Sequence, residues 1–126
     1  MKKLLLLLFS ILISFNSYGE WSDIAENTLG DIYNIDLDNV KEHGGYIYYW
    51  EWVDYLEPTS SGRMGAISYN QGDCGVNRIK MLSVSFYDNP MFKGQGDAFT
   101  PPEEWRYPKP NSVAKIVLDY VCDYVK

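Results

Sequence analysis

The sequence of 126 residues predicts an α+β domain in which a β-sheet is built around one aromatic strand and is covered on one face by a C-terminal helix. The strand is the stretch Tyr46–Leu56, whose aromatic and β-branched side chains favour a pleated, half-buried surface. Gly44-Gly45 and Pro58, which favour turns, lie on either side of it. The helix is predicted from the regular spacing of apolar residues after Ser112.

The aromatic strand is predicted to have two apolar faces, because successive side chains of a strand point to opposite sides. One face carries Tyr46, Tyr48, Trp50 and Trp52, and the other carries Ile47, Tyr49, Val53 and Tyr55. Both faces therefore need a cover. Glu51 and Asp54 fall on opposite faces, which argues against a cooperating pair of carboxylates.

Residues 1–19 are predicted to form a secretory signal peptide. Two lysines precede an apolar run over residues 4–15, and Ser17 and Gly19 supply the small residues that a signal peptidase reads. The run is shorter than the ~20 residues of a membrane span, so we expect export and no membrane insertion after cleavage; an uncleaved anchor is the alternative. Residues 20–126 then form a single domain.

Four further strands are predicted from alternating segments between turn residues. Trp21–Ala25 and Asp31–Ile35 form a hairpin, and Met64–Asn70 precedes Val76–Tyr87. Between these pairs, Asp38–His43 is predicted to form one or two helical turns. Simple alternation along the last strand separates its apolar residues into one set of Val76, Leu82, Val84 and Phe86 and another of Ile79, Met81 and Tyr87.

The stretch Met91–Pro110 contains too many glycines and prolines for regular structure. We expect an extended strap across the sheet, with room for a short edge strand, held by Phe92, Phe99, Trp105 and Tyr107. Asn111 or Ser112 is predicted to cap the helix that follows. Its broad apolar face consists of Val113, Ile116, Val117, Tyr120, Val121 and Tyr124, with Leu118 and Val125 on the flank.

The two cysteines, Cys74 and Cys122, are predicted to form a disulfide, because an even number of cysteines in an exported chain favours one. Cys74 lies in a glycine-flanked turn and Cys122 at the edge of the helix's apolar face, so the bond would tie the helix to the sheet. Closing a loop of roughly 49 residues corresponds to about 4 kcal/mol in the chain-entropy model. Two buried free thiols or a redox pair are the alternatives, although the close spacing of a redox pair is absent.

Composition excludes several classes of function. Acidic residues outnumber basic ones by 17 to 11, which argues against nucleic acids and anionic membranes as partners. His43 is the single histidine, and no Cys/His spacing typical of a metal site is present. Gly94 and Gly96 lack the strand-to-helix setting of a phosphate loop. We therefore predict no enzyme activity, no metal and no cofactor.

Aromatic residues make up 16% of the chain, and they have two interpretations. They fill the core, or some of them form an exposed patch that binds a protein, a glycan or a second copy of the chain. One helix and a strap are too little to cover both faces of the aromatic strand. This count predicts a homodimer about a two-fold axis.

Several segments resemble the surface-adhesin protein E family of Gram-negative bacteria, and the similarity covers nearly all of residues 20–126. The matching segments are Tyr33–Asp36 with Asp38–Val40, Asp73-Cys74, Phe86–Asp88 with Gly94–Gly96, and Pro110–Ser112 leading to Cys122. The resemblance implies an antiparallel sheet of about six strands, a C-terminal helix held on it by the disulfide, and a dimer. It also implies adhesion to host extracellular-matrix proteins. The family's namesake is a lipoprotein, whereas Glu20 here stands where the lipid-accepting cysteine would be.

We therefore expect an exported binding module of the bacterial cell envelope that recognises a protein or glycan through an aromatic sheet surface. The candidate ligand surface or interface consists of Tyr46, Tyr48, Trp50 and Trp52. The alternative is a structural periplasmic protein whose main interaction is homodimerisation. The expected location is the periplasm, the outer surface or the medium, without a lipid anchor.

Overall fold

A computed structural model describes residues 21–88 and 97–125. The predicted signal peptide, Phe92 and the Gly94–Gly96 segment lie outside the described residues. The strands are β1 (Trp21–Glu26), β2 (Ile32–Asp36), β3 (Lys41–His43), β4 (Tyr46–Asp54), β5 (Gly65–Asp73), β6 (Arg78–Tyr87) and β7 (Asp97–Phe99). A 3-10 helix spans Leu37–Asn39, and the α-helix α1 spans Val113–Tyr124.

These strands form one antiparallel sheet in the order β1-β2-β4-β5-β6-β7, with β3 paired to β4. The predicted α+β class, the antiparallel sheet and the helix packed on it are confirmed. The described strands number seven, where the sequence led us to expect about six. The aromatic strand β4 lies at the centre, since it pairs with β2 and β3 along one edge and with β5 along the other.

The prediction of one or two helical turns over Asp38–His43 is partly wrong. The Asp36 side chain accepts a hydrogen bond from the Asp38 amide at 3.2 Å and starts a single 3-10 turn. The chain then extends as β3, where Lys41–His43 pairs with the first residues of β4. Gly44 and Gly45 both have positive φ angles, 59° and 84°, which a two-residue hairpin turn requires and glycine readily adopts.

Alternation along β4 is confirmed. Ile47 and Tyr49 are 1% exposed on the face that α1 covers, which we call the helix-side face. Trp50 is 37% exposed on the opposite, outer face. Asp54 is exposed, and it lies on the side opposite to that of Glu51, as predicted.

Alternation along β6 is interrupted by a β-bulge, and the predicted faces of this strand are wrong. Tyr69 pairs with Ser83, but the next residue of β5, Asn70, pairs with Met81, so Leu82 is the extra residue. An extra residue reverses the side on which the following side chains lie. The residues of β6 that pair with the helix-side positions of β5 are therefore Ile79, Met81, Val84 and Phe86.

Helix α1 begins where the sequence predicts, because the Ser112 hydroxyl accepts a hydrogen bond from the Lys115 amide at 3.2 Å. Its buried residues are Val117, Leu118 and Val121, which pack with Ile35, Ile47 and Tyr49 of the sheet. The contact stripe is narrower than predicted, since Ile116, Tyr120 and Tyr124 are exposed. Leu118, expected on the flank, is fully buried.

The predicted disulfide is confirmed. Cys74 and Cys122 are joined with an S–S distance of 2.06 Å and a Cα–Cα distance of 5.9 Å. Cys74 lies in the turn between β5 and β6, and Cys122 lies in the last turns of α1. The bond therefore fixes the C-terminal end of the helix to one end of the central hairpin.

We expect Cys122→Ser to lower the free energy of unfolding by roughly 2–5 kcal/mol, because the unfolded chain regains the freedom that the crosslink removes. Urea denaturation in oxidising buffer measures the change. The double variant Cys74→Ser/Cys122→Ser serves as the control. Its free energy of unfolding should be no more than ~0.5 kcal/mol below that of the single variant. Equal midpoints for the wild type and Cys122→Ser would contradict a stabilising role for the bond.

Candidate functional site

The candidate site is the outer face of the sheet, on the side opposite to α1. Tyr46, Tyr48, Trp50 and Trp52 occupy alternate positions of β4, so the structure brings all four predicted residues together on one face. Three further aromatic residues contact them. We call this set of seven the outer aromatic face, and it consists of Trp21, Tyr46, Tyr48, Trp50, Trp52, Tyr69 and Trp105.

Cross-strand ring contacts hold the middle of the outer aromatic face. Tyr69 of β5 lies directly opposite Trp50, with ring centres 4.6 Å apart. Its ring also stacks on Tyr48, with a centroid distance of 6.1 Å and an interplanar angle of 23°. Such pairs across neighbouring strands stabilise a sheet and orient the rings. The rings therefore form a preorganised surface rather than a set of independent side chains.

The two ends of the outer aromatic face are closed differently. At one end, Trp21 of β1 meets Trp52 edge-on, with ring centres 5.9 Å apart. At the other end, the strap residue Trp105 lies 5.5 Å from Tyr46. The strap reaches this position because Arg106 and Ile79 exchange two backbone hydrogen bonds of 2.8 Å. The prediction that Trp105 holds the strap on the sheet agrees with this contact.

Cationic side chains lie at the Trp105 end. The Arg78 guanidinium lies 4.1 Å from the centre of the Trp105 ring, and the Lys80 ammonium lies 4.6 Å from it. Arg78 also pairs with Asp73 at 3.0 Å, and this hydrogen bond raises the pKa of the guanidinium further above its ordinary value. A cation over an aromatic ring is a favourable arrangement. One end of the face therefore offers positive charge in an otherwise acidic chain.

Sequence reasoning missed Trp21 and Tyr69 as members of this face. Their membership depends on strand register: Tyr69 reaches Trp50 because these two residues are direct partners in the β4–β5 ladder. A one-residue shift would turn Tyr69 to the other side of the sheet. The sequence carries a period-2 signal for each strand, but no signal for how neighbouring strands align.

The single histidine, His43, does not join other metal-binding side chains among the described residues. His43 is exposed in β3, at the edge of the sheet. Among the described residues, no group of three or more His, Cys, Asp or Glu side chains is placed to hold a metal ion. No helix within residues 21–88 and 97–125 is long and apolar enough to cross a membrane.

Comparison with known proteins gives one family. The model of the family described as Surface-adhesin protein E matches residues 21–123. No curated protein sequence matches the chain significantly.

Solved structures of Haemophilus influenzae protein E share the fold. Crystal form II of that protein is 18% identical, with a TM-score of 0.60 over 86% of this chain and 91% of that one. The selenomethionine form is 17% identical, with a TM-score of 0.58 over 84% of this chain and 87% of that one. Protein E from non-typeable Haemophilus influenzae gives 17% identity and a TM-score of 0.55 over 84% and 76% of the two chains.

We predict that Tyr69→Ala loosens the outer aromatic face. Two ring contacts are lost, each worth about 0.5–1.5 kcal/mol beyond the buried area, so the free energy of unfolding should fall by about 1–3 kcal/mol. Near-ultraviolet circular dichroism should lose signal because Trp50 is no longer held against a ring. Tyr69→Phe keeps both ring contacts and should match the wild type in spectrum. An unchanged spectrum for Tyr69→Ala would count against the stacked arrangement.

Proposed function

The chain belongs to the Surface-adhesin protein E family, and we propose that it is an exported, adhesin-like binding module that recognises a protein or a glycan through its outer aromatic face. The observation that carries the proposal is a row of mutually oriented rings on a sheet face that α1 does not cover. The module acts in the periplasm, at the outer surface or in the medium.

The chemistry of the outer aromatic face suits recognition. Trp and Tyr have an apolar body and a polar tip, and few rotatable bonds must be fixed when they bind. Trp, Tyr and Arg are also the residues that most often dominate protein interfaces. A flat row of rings on strands suits the apolar faces of sugar rings or an apolar patch of a protein. Lys80, placed at its end, suits a carboxylate of either ligand, whereas Arg78 is already paired with Asp73.

Homodimerisation through the same face is the second candidate. The centre of the face is uncharged, since the positions around Trp50 on β4 and β5 are occupied by Tyr48, Trp52, Ile67, Tyr69 and Gln71. In a two-fold contact, a residue near the axis lies close to the same residue, or to a neighbouring residue, of the second chain. A charge there would face a like charge, and an uncharged centre avoids this repulsion. Two sheets of this kind pack at about 10 Å.

Trp50→Ala tests the ligand proposal, and Tyr120→Ala is the matched control, because Tyr120 is 43% exposed on α1, away from the outer aromatic face. Both variants and the wild type are applied to a glycan array and to immobilised extracellular-matrix proteins. We expect binding by the wild type and by Tyr120→Ala, and at least a tenfold loss for Trp50→Ala, as for a central interface residue. Equal binding by all three proteins would place the ligand surface elsewhere.

Trp50→Glu tests self-association. At the centre of a two-fold apolar contact, the introduced carboxylate would be buried next to the same carboxylate of the second chain, which disfavours the dimer. Light scattering coupled to size exclusion at micromolar concentration measures the mass, and circular dichroism shows whether the variant is folded. A dimeric wild type and a folded, monomeric Trp50→Glu are expected if the face is the dimer contact. A wild type that stays monomeric contradicts homodimerisation and leaves the foreign ligand as the function of this face.

A further inference from the structure

A cavity of about 370 Å³ opens on the helix-side face of the sheet, between the sheet, the start of α1 and the strap. Tyr49, Glu51 and Asn70 belong to the central strands β4 and β5, Ile79 and Met81 to β6, and Val113 to the first turn of the helix. This volume falls within the range of about 300–1,000 Å³ typical of pockets for small molecules. The cavity lies on the opposite side of the sheet from the outer aromatic face.

The cavity lies where the first turn of α1 faces the sheet, with Val113 and Ala114 on one side and Tyr49, Glu51 and Asn70 on the other. At the disulfide end the two pack so closely that a Cβ on Gly72 would lie 2.7 Å from the Leu118 side chain. Further along β5 the helix-side positions are Asn70, Ser68 and Ala66, which are small or short. These side chains do not fill the space beside Tyr49 that the helix leaves open.

Glu51 is the acidic residue of this cavity. Burial raises the pKa of its carboxyl group from 4.5 to about 7, and burial is the one cause of that shift. Glu51 is half-buried, and among the described residues its carboxyl oxygens have no ion-pair or hydrogen-bond partner but keep contact with the open space of the cavity. Its charge contributes to raised pKa values of the Tyr49 and Tyr33 hydroxyls, although desolvation is the larger cause for both. The cavity therefore holds an uncompensated acid beside two tyrosines.

A carboxylate that has lost part of its hydration and has no ion-pair partner is destabilised, and a cation within a few ångströms removes much of that cost. Arg106 lines the cavity, but its side chain is exposed and forms no ion pair with Glu51 in the part of the chain that the structure describes. The position for a counter-ion is thus inside the cavity, where the other walls are apolar or aromatic apart from Asn70 and the exposed Arg106. Tyrosine rings also favour cations.

We propose that this cavity binds a small organic cation, a protonated amine with an apolar or aromatic body, and that the Glu51 carboxylate is its counter-ion. The apolar body packs against Ile79, Met81 and Val113. The Asn70 side chain, which donates to the Ser68 hydroxyl at 3.0 Å, offers its amide oxygen as an acceptor for a second ammonium hydrogen. Above about pH 7, where the Glu51 carboxyl group is ionised, it repels an anion of the same size.

Binding of such a cation depends on pH in a defined direction. Below about pH 7 the empty cavity holds Glu51 in its protonated form, and this proton must leave before the carboxylate can pair with an ammonium group. Affinity should therefore rise as the pH increases through about 7 and then level off. The other ionisable residues that line the cavity are Tyr33, Tyr49, Tyr107 and Arg106, and none of these residue types changes charge near pH 7.

Isothermal titration calorimetry of the oxidised protein with three probes tests the proposal. The probes are phenethylamine, the neutral 2-phenylethanol and the anionic 3-phenylpropionate, which share an aromatic body. At pH 8 we expect phenethylamine to bind at least tenfold more tightly than either of the others. At pH 6 its affinity should be about tenfold lower, and titration in two buffers of different ionisation enthalpy should detect release of a proton.

Glu51→Gln keeps the shape of the side chain and removes its charge. Its affinity for phenethylamine at pH 8 should therefore be at least about elevenfold lower than that of the wild type. Asp54→Asn is the matched control, because Asp54 is an exposed carboxylate of the same strand on the opposite face, and it should bind as the wild type does. Glu51→Gln should also raise the thermal unfolding midpoint at pH 8 and change it less at pH 5, where the native carboxyl group is already neutral.

Three results would overturn the proposal. The first is no binding of phenethylamine by the wild type at concentrations up to about 10 mM at pH 8. The second is equal binding of the amine and the anion. The third is equal affinity for the amine in Glu51→Gln and the wild type. None of these results bears on the outer aromatic face, so the two proposals fail or succeed separately.

Discussion

The structure depends on the contact between α1 and the sheet at Gly72. Leu118 is fully buried there, and a side chain at Gly72 would clash with both Leu118 and Ile47. The helix can approach so closely because glycine leaves the space free. The disulfide holds the two elements together beside this contact, since Cys74 closely follows Gly72 on the sheet and Cys122 lies one helical turn after Leu118. This contact decides which face of the sheet is covered, and so it also decides that Tyr46, Tyr48, Trp50 and Trp52 of β4 lie on the face that α1 leaves uncovered.

The same contact accounts for the cavity. A rigid helix that touches the sheet at its C-terminal end need not follow the twisted sheet along its whole length. The gap opens towards Val113, above the short side chains of β5. Larger residues on β5 could have filled it, at the expense of the space beside Glu51. Close packing at Gly72 and an open volume beside Asn70 therefore both follow from the small or short residues on the helix-side face of β5.

Local patterns in the sequence predicted much of this fold. The alternation of β4 and the cap at Ser112 follow from residues that are close together in the sequence. The disulfide follows because two cysteines allow only one pairing. The strand β3, the bulge at Leu82 and the contact of Tyr69 with Trp50 depend on how distant segments align, which a single sequence does not encode locally. Glu51 was assigned to the correct face, but the cavity around it depends on six separate segments, namely β2, β4, β5, β6, the strap and α1, and was not foreseen.

Both proposed sites use the strand β4, and its register holds them apart. Even-numbered positions supply the rings of the outer aromatic face, while Tyr49 and Glu51 face the cavity. A slip of one residue would exchange the two sets, placing Trp50 under the helix and Glu51 in solvent. Pairing along both edges opposes such a slip: β5 covers one edge from Ile47 to Asp54, and β2 covers the other as far as Glu51. Beyond that point β3 pairs with Tyr46–Tyr48, so this short, unforeseen strand protects the part of β4 that would otherwise be an open edge.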